Sequence, residues 1–411
     1  MKVNKKYSKR RTPIRNVALI AGVATAMGVP VTNAAESFTE ALTSGTAYGD
    51  FNLRYETVDQ DNMLADADAL TLRTRLGYKT GAYNGLSAVV EFEDSREVLG
   101  VDDFSVPPAG VRAGEFSVIA DPETTELDQG FIQYSGGGFT AKVGRQVITL
   151  DGHRFVGHVG WRQDRQTFDA VSFTYAPNKA LKLFGAQLSQ RNRIFAEEAN
   201  IQSEDTLLNA SYTTSFGKFV GYAYLLEVDS DVENSLDTFG ISFTGSAPAG
   251  KNKILYAAEF ATQEANDTID TDYLKFEGGL VFSGITAKIG YEVLGSDDGA
   301  GAFATPLATL HKFNGWTDQF LGTPAAGLED FYISGAGKLG GGKWVVAYHD
   351  FSSDEEAEGS DDLGSEINLS YVKPLGKNYA VGAKYGSYSA GDTVFGKVDT
   401  DKFWLWLNAK F

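Results

Sequence analysis

Chemistry-bearing residues are concentrated between Asp151 and Gln166, which holds His153, Arg154, His158, Trp161, Arg162 and Arg165. Guanidinium groups bind carboxylates in a planar, bidentate fork. Three of them in one short, glycine-containing segment predict a loop that folds inward and grips anions; the bland reading is a surface loop resting on phosphate headgroups. His153 and His158 stand five residues apart with Asp151 and Asp164 near, a spacing that reads as hydrogen bonding rather than as a zinc centre. No metal or other cofactor is expected.

Five further cations invite the same question: Arg54, Arg73, Arg75, Lys142 and Arg145. Every arginine outside the N-terminal segment lies between Arg54 and Arg193, so the positive charge of the first half is of a kind the second half lacks. His349, Asp350, Ser352 and Ser353 are the residues that could support an enzymatic reading. Neighbouring residues of a strand point to opposite faces, so His349 and Asp350 do not pair there, and no nucleophile–base–orienter set emerges. An enzyme is not expected.

The elements that position these residues are strands. Phe51, Leu53 and Tyr55 alternate with Asn52, Arg54 and Glu56; Leu70, Leu72 and Leu76 alternate with Thr71, Arg73 and Arg75; the chain closes on Phe403, Leu405, Leu407, Ala409 and Phe411. A period of two with one apolar and one polar face marks a β-strand. The intervals alternate too. Short ones hold Gly, Pro or Asn, as at 80–85, 135–138, 246–252 and 283–284, whereas long ones are polar and acidic, as at 96–124, 295–328 and 353–364. Eighteen strands joined in this rhythm predict an all-β protein: a transmembrane antiparallel barrel with short periplasmic turns and long extracellular loops. Strands running toward short turns end in aromatics (Tyr78, Tyr134, Tyr175, Tyr212, Phe243, Phe282, Tyr371), and the strand ending near Lys338 is the exception. Such a ring at one depth is an interfacial girdle, which a soluble β-sandwich would not produce.

Composition agrees. Of 411 residues, 46 are Gly, 46 are Phe or Tyr, 10 are Pro and none is Cys, and the net charge is −18. The acidity argues against a nucleic-acid partner, and the lack of Cys removes disulfides and thiolate sites. Residues 1–35 read as a secretory signal: seven Lys or Arg without an acid, the apolar run Val17–Val31, then Thr32-Asn33-Ala34. The barrel is expected over 36–411. No later run offers about 18 consecutive apolar residues, as a membrane helix needs.

On a barrel wall, an outward arginine at mid-membrane depth costs about 2–4 kcal/mol. Arg54, Arg73, Arg75 and Lys142 fall on the polar phase and are expected to face the lumen. There they either attract anions or form cross-strand ion pairs, Arg73 facing Glu91, or Arg73 facing Glu93 with Arg75 facing Glu91. Arg145 falls on the apolar phase of Phe139, Ala141 and Val143, and a β-bulge at Gly144 is expected to turn it inward. Val147 and Thr149 would follow it, with Ile148 and Leu150 outward.

A closer likeness lies in the first half. The stretches TLRTRLGYKTG (Thr71 to Gly81), EFED (Glu91 to Asp94) and GRQVITLDGHRFVGHVGWRQDRQTFDAVSF (Gly144 to Phe173) resemble the alginate-export family of bacterial outer-membrane porins. The resemblance spans about residues 50–175 and implies an 18-stranded barrel with a basic lumen that passes an anionic uronate polymer or related solutes. The terminal strand, with Phe403, Leu405, Leu407 and Phe411, resembles the assembly signal of outer-membrane proteins. The combined expectation is a passive channel in the bacterial outer membrane, selective for anionic saccharides or small anions. Its pore would be lined by Arg54, Arg73, Arg75, Lys142, Arg145, Arg154, Arg162 and Arg165. A general porin of little selectivity is the alternative. Outer-membrane lipid, lipopolysaccharide and the barrel-assembly machinery are the expected partners.

Overall fold

Polar groups of the backbone have no water to bond in hydrocarbon, so a membrane-crossing sheet must close on itself. The computed structural model, which describes residues 35–230 and 234–411, does so. The expected signal segment lies outside the described residues apart from Ala35. Among the described residues, eighteen long strands each pair antiparallel with the next, and the last pairs with the first. In chain order they are β1 (Thr46–Gln60), β2 (Ala67–Lys79), β3 (Leu86–Asp103), β4 (Thr124–Gly136), β5 (Phe139–Gln146), β6 (Thr167–Tyr175), β7 (Leu181–Asn192), β8 (Thr206–Thr213) and β9 (Gly217–Leu226). They continue as β10 (Leu236–Ala249), β11 (Asn252–Ala265), β12 (Ile269–Phe282), β13 (Ile285–Leu294), β14 (Leu328–Leu339), β15 (Gly342–Ala357), β16 (Ser360–Pro374), β17 (Tyr379–Ser389) and β18 (Thr400–Lys410). A two-residue strand at Ile201–Gln202 extends the edge of β7 outside this set.

The alternation read from the sequence sets the two faces. Leu76, Phe92, Val143, Ile241, Phe276, Ile333 and Leu405 are exposed on the outer wall, where lipid covers them. Arg54, Arg75, Glu93, Glu292 and Glu366 are buried on the inner wall. The girdle aromatics sit near the short turns, and several tyrosine hydroxyls donate to turn carbonyls, Tyr371 to Leu339 at 2.8 Å and Tyr256 to Phe216 at 2.6 Å. The exception on β14 has a steric cause. Gly337 faces Trp344 across the hairpin, and a Cβ on Gly337 would stand 2.9 Å from the indole. The neighbouring strand thus supplies the aromatic at that level.

Two turns differ from the sequence reading. The β2–β3 hairpin closes on Asn84-Gly85, both with positive φ (51° and 82°), the pair that a tight primed turn demands. The registers expected from the sequence centre the turn near Ala82 or Tyr83; this centre lies beyond them, so Arg75 faces Glu93, Gly77 faces Glu91 and Arg73 faces Ser95. The β10–β11 hairpin keeps its ladder as far as Ala249–Asn252, shortening the expected turn at 246–252 to two residues. At the opposite end, 353–364 is also more regular than a solvated loop. It forms the tip of the β15–β16 hairpin, turning at Glu358-Gly359.

The long connections do not all stay outside. The β5–β6 loop (147–166) and the β13–β14 loop (295–327) meet inside the barrel, bridged in parallel at Val156 and Leu307. Their apolar residues Ile148, Leu150, Phe155, Phe303 and Phe320 join inward wall residues such as Tyr222, Tyr273 and Phe351 in one buried cluster. Burying such side chains is worth about 1.5–3 kcal/mol each, which offsets the cost of ordering two long loops.

Candidate solute path and its constriction

The β5–β6 loop stays in the lumen because its cations meet acids on the wall. Arg162 donates to both oxygens of Glu56 on β1 (3.0 and 2.9 Å) and to Asp318 of the other inserted loop at 3.1 Å. Arg154 forks onto Glu292 of β13 at 2.9 and 3.2 Å and reaches Asn314 at 3.2 Å. Arg165 forks onto Asp128 of β4, with 3.0 Å from Nε, and also meets Glu91. Gln163 spans the gap to Thr71 of β2, its amide donating to Oγ1 at 2.8 Å, while its backbone N–H donates to Asp121 at 2.8 Å.

The wall arginines are engaged in the same way. Arg54 binds Asp121 and the Trp161 carbonyl, Arg75 binds Glu93, and Arg73 binds Asp50 at 2.9 Å. Arg54 and Arg162 retain 2% and 4% of their surface. Such pairs hold together because each charge has a satisfied partner, and removing one leaves the other buried and uncompensated. The structure therefore places Arg54, Arg73, Arg75, Arg154, Arg162 and Arg165 in the lumen, each neutralised by a carboxylate. Lys142 also faces inward, 4.6 Å from the ring of Phe131.

Arg145 is placed otherwise. The ladder passes through Gly144 without a register shift on either side, so the expected bulge is not there. Gly144 takes φ 123°, and a Cβ on it would meet the Gly130 carbonyl at 2.2 Å, which accounts for glycine. Gln146 is buried and accepts from the inward Ser172 at 2.6 Å, so Arg145 stays on the outward phase of Val143. It escapes the cost of bare exposure by pairing with Asp169, directly opposite on β6, at 2.8 and 3.2 Å, and by donating to the Leu127 carbonyl at 3.1 Å. Only 17% of its side chain is accessible. Ile148 and Leu150, expected outward, lie in the inner cluster instead.

Sequence reasoning missed a second knot. Lys384 on β17 lies 3.9 Å from the ring of Trp316, 4.4 Å from Trp161 and 5.3 Å from Trp404, within cation–π range of all three. Its Nζ is 2.6 Å from Nε2 of His311, whose Nδ1 is 2.6 Å from Asp318. Lys402 of β18 donates to the same Asp318 at 3.0 Å. Burial drives His311 down to about 3. Asp318 is held well below the usual carboxylate range: burial works against this, and the contacts to His311, Lys402 and Arg162 outweigh it. Burial, with Arg165 next, lowers His158 to about 4. The inward phase of Trp404 and Trp406 was visible in the terminal strand; their loop partners were not. His349 meets Asp330 across the β14–β15 ladder at 2.9 Å, a partner the chain order conceals. Ser352 and Ser353 bond elsewhere, to Glu329 and to the Glu355 carbonyl.

The opposite flank is built from lysine. Lys275 of β12 and Lys312 of the β13–β14 loop both lie over the ring of Phe313, at 5.9 and 5.5 Å, and Lys312 donates to the Gly152 carbonyl at 2.7 Å. Lys288 of β13 pairs with Glu277 at 2.8 Å, yet 35% of its side chain remains accessible. Lys312 is exposed and Lys275 half-buried. On an inner barrel face, accessible surface is surface that water reaches.

A closed eighteen-strand barrel with an apolar outer band, a girdle and inserted loops is an outer-membrane porin-type barrel. A family model, Alginate export, matches residues 43–286. The chain belongs to the alginate export family. The fold is similar to that of Pseudomonas aeruginosa OccK5 (OpdH), at 14% identity and TM-score 0.69, over 90% of this chain and 99% of that one. It is equally similar to Acinetobacter baumannii OccAB1 (11% identity, TM-score 0.70, 90% and 97% covered) and to P. aeruginosa OpdK with vanillate (12% identity, TM-score 0.68, 89% and 98% covered). At these identities the likeness establishes the fold. No curated protein matches the chain.

Proposed function

We propose that this protein is a passive, non-enzymatic outer-membrane channel for anionic saccharides or other small anions, and that its selectivity is carried by lysines rather than by the arginine set. The observation behind this reading is the contrast in accessibility: the arginines of the constriction are sealed against carboxylates, while Lys275 and Lys312, beside Phe313, are in no salt bridge among the described residues, and Lys288, although paired with Glu277, keeps 35% of its side chain accessible. A cation that water reaches raises the local concentration of anions; a cation already neutralised does little. Lys142, which has an aromatic neighbour in place of a carboxylate, belongs with this set. Family membership and the vanillate bound by OpdK are in keeping with an anionic solute.

The experiment is the reversal potential in a KCl gradient across planar bilayers. The wild type should prefer chloride, and Lys275→Gln with Lys312→Gln should move the preference toward potassium without loss of folded barrel. A wild type without ion preference would favour a general porin, a reading that draws its support from the neutralised arginines. We also propose lipopolysaccharide and the barrel-assembly machinery as partners. Phe403, Leu405 and Leu407 lie on the lipid face of β18, and Phe411 follows, stacked 6.1 Å from Phe51. Deleting Phe411 should lower the yield of folded, heat-modifiable protein.

A further inference from the structure

The short-turn end of the barrel is the more basic one, although the N-terminal stretch packed on the 80–85 turn brings the exposed Glu36 and Glu40 to it. The short turns at 80–85, 137–138, 176–180, 214–216, 250–251, 283–284, 340–341 and 375–378 contain three lysines and no Asp or Glu. Just inside them, lysines occupy the lumen phase around much of the circumference: Lys79 on β2, Lys182 on β7, Lys253 on β11, Lys338 on β14, Lys343 on β15 and Lys410 on β18. The phase follows from their strand-mates. Lys338 shares it with the buried Asp330, Lys343 with His349, Lys253 with Glu259 and Lys79 with Arg75. All six are exposed. At the other end, residues 353–364 alone carry six acids and no Lys or Arg.

Two features set this rim apart from ordinary surface charge. The first is its pairing. Among the described residues, the lysines in salt bridges are Lys218, Lys288, Lys402 and Lys410, so of the six only Lys410 has an acid, Asp50 at 2.9 Å. The second is that Lys338 and Lys343 face each other directly across the β14–β15 ladder. Like charges opposite one another destabilise a hairpin, and a bound anion relieves that repulsion. Because these lysines take the lumen phase, their ligand arrives through water rather than from the surrounding lipid.

We infer that the short-turn mouth is a capture rim for multivalent anions, so that a polyanion engages the channel far more readily from that side than from the acidic loop end. This rests on the anion-channel reading above and adds to it a side and a binding surface. Spaced lysines suit a chain of repeated charges: each contact is weak, and a polyanion engages several at once. Electrostatic steering of this kind changes capture by factors of about 10 to 1,000 and falls with ionic strength.

The test uses the full chain in planar bilayers at low salt. The protein has no cysteine, so Ala357→Cys, biotinylated, lets streptavidin report which way each channel is inserted. Dextran sulfate is the probe and neutral dextran of equal size the control. Dextran sulfate added at the short-turn side should block current at about one tenth or less of the concentration needed at the loop side. Neutral dextran should show no such difference, and Lys338→Glu with Lys343→Glu should shrink the ratio toward one. Equal block from both sides, or a ratio untouched by the double substitution, overturns the rim. If chloride preference in the KCl gradient persists while block is side-independent, the rim alone falls; if that preference is also missing, the anion-channel reading falls with it.

Discussion

The arginine flank, formed by β1–β4 and the β5–β6 loop, and the lysine flank, formed by β12, β13 and Lys312, carry the same sign of charge in the same lumen and use it differently. Arg162 has carboxylate contacts from three separate parts of the chain, at Glu56, Asp121 and Asp318. Lys312 has a carbonyl and an aromatic ring. The planar guanidinium suits several fixed acceptors at once, whereas the ammonium is a compact point charge on a flexible stem. The first therefore builds architecture, pinning an inserted loop to the wall, and the second keeps its charge available to solvent. A count of basic residues would have assigned selectivity to the flank where the charge is already used.

The largest expected effect falls on the pinned flank. Arg162→Ala strands Glu56 without its main partner and should cost about 3–5 kcal/mol, seen as a lower temperature for loss of the heat-modifiable band. Lys312→Ala should stay within about 0.5 kcal/mol. Equal losses would abolish the contrast.

Acid should act on the same flank. His311 is neutral in the fold, its value lowered to about 3, against an ordinary value of 6.5. Below 6.5 the unfolded chain takes up a proton that the folded chain refuses. The stability that this residue secures is full above pH 6.5 and is lost as pH falls from there toward 3. At pH 5 the loss is about 2 kcal/mol. His311→Gln should flatten that part of the pH–stability curve, and an unchanged slope would remove His311 from the account.

Selectivity should respond on the lysine flank. Lys312→Glu should shift the reversal potential toward cations with the thermal transition nearly unmoved. Arg75→Gln, which frees Glu93, should instead be seen mainly in stability. The smallest effect on selectivity belongs to Arg145. It is a cross-strand tie to Asp169 on the outward face, so Arg145→Ala should leave the reversal potential where it was, while its stability should fall because Asp169 loses its charge partner there. A moved potential would return Arg145 to the pore.

Strand existence, strand number, the two faces and the girdle could be read from the chain because a period of two is a local property: each residue declares its side within two neighbours of itself. That Arg54, Arg73, Arg75 and Lys142 face inward followed from nothing more. Register needed one further local fact, the Asn84-Gly85 turn, and a turn placed slightly too early assigned Arg75 the wrong acid. The tertiary structure alone decided what the cations bind. Arg154 and Glu292 are 138 residues apart, and Arg162 and Asp318 are 156 apart. Such partners meet only when the barrel closes and two loops fold into it. No periodicity encodes that meeting, since it depends on loop closure and on the pairing of buried charges. The alternation thus determined which side of the wall the strand charges occupy, Arg145 included once no bulge intervenes at Gly144, and the closed barrel determined which of those charges remain free.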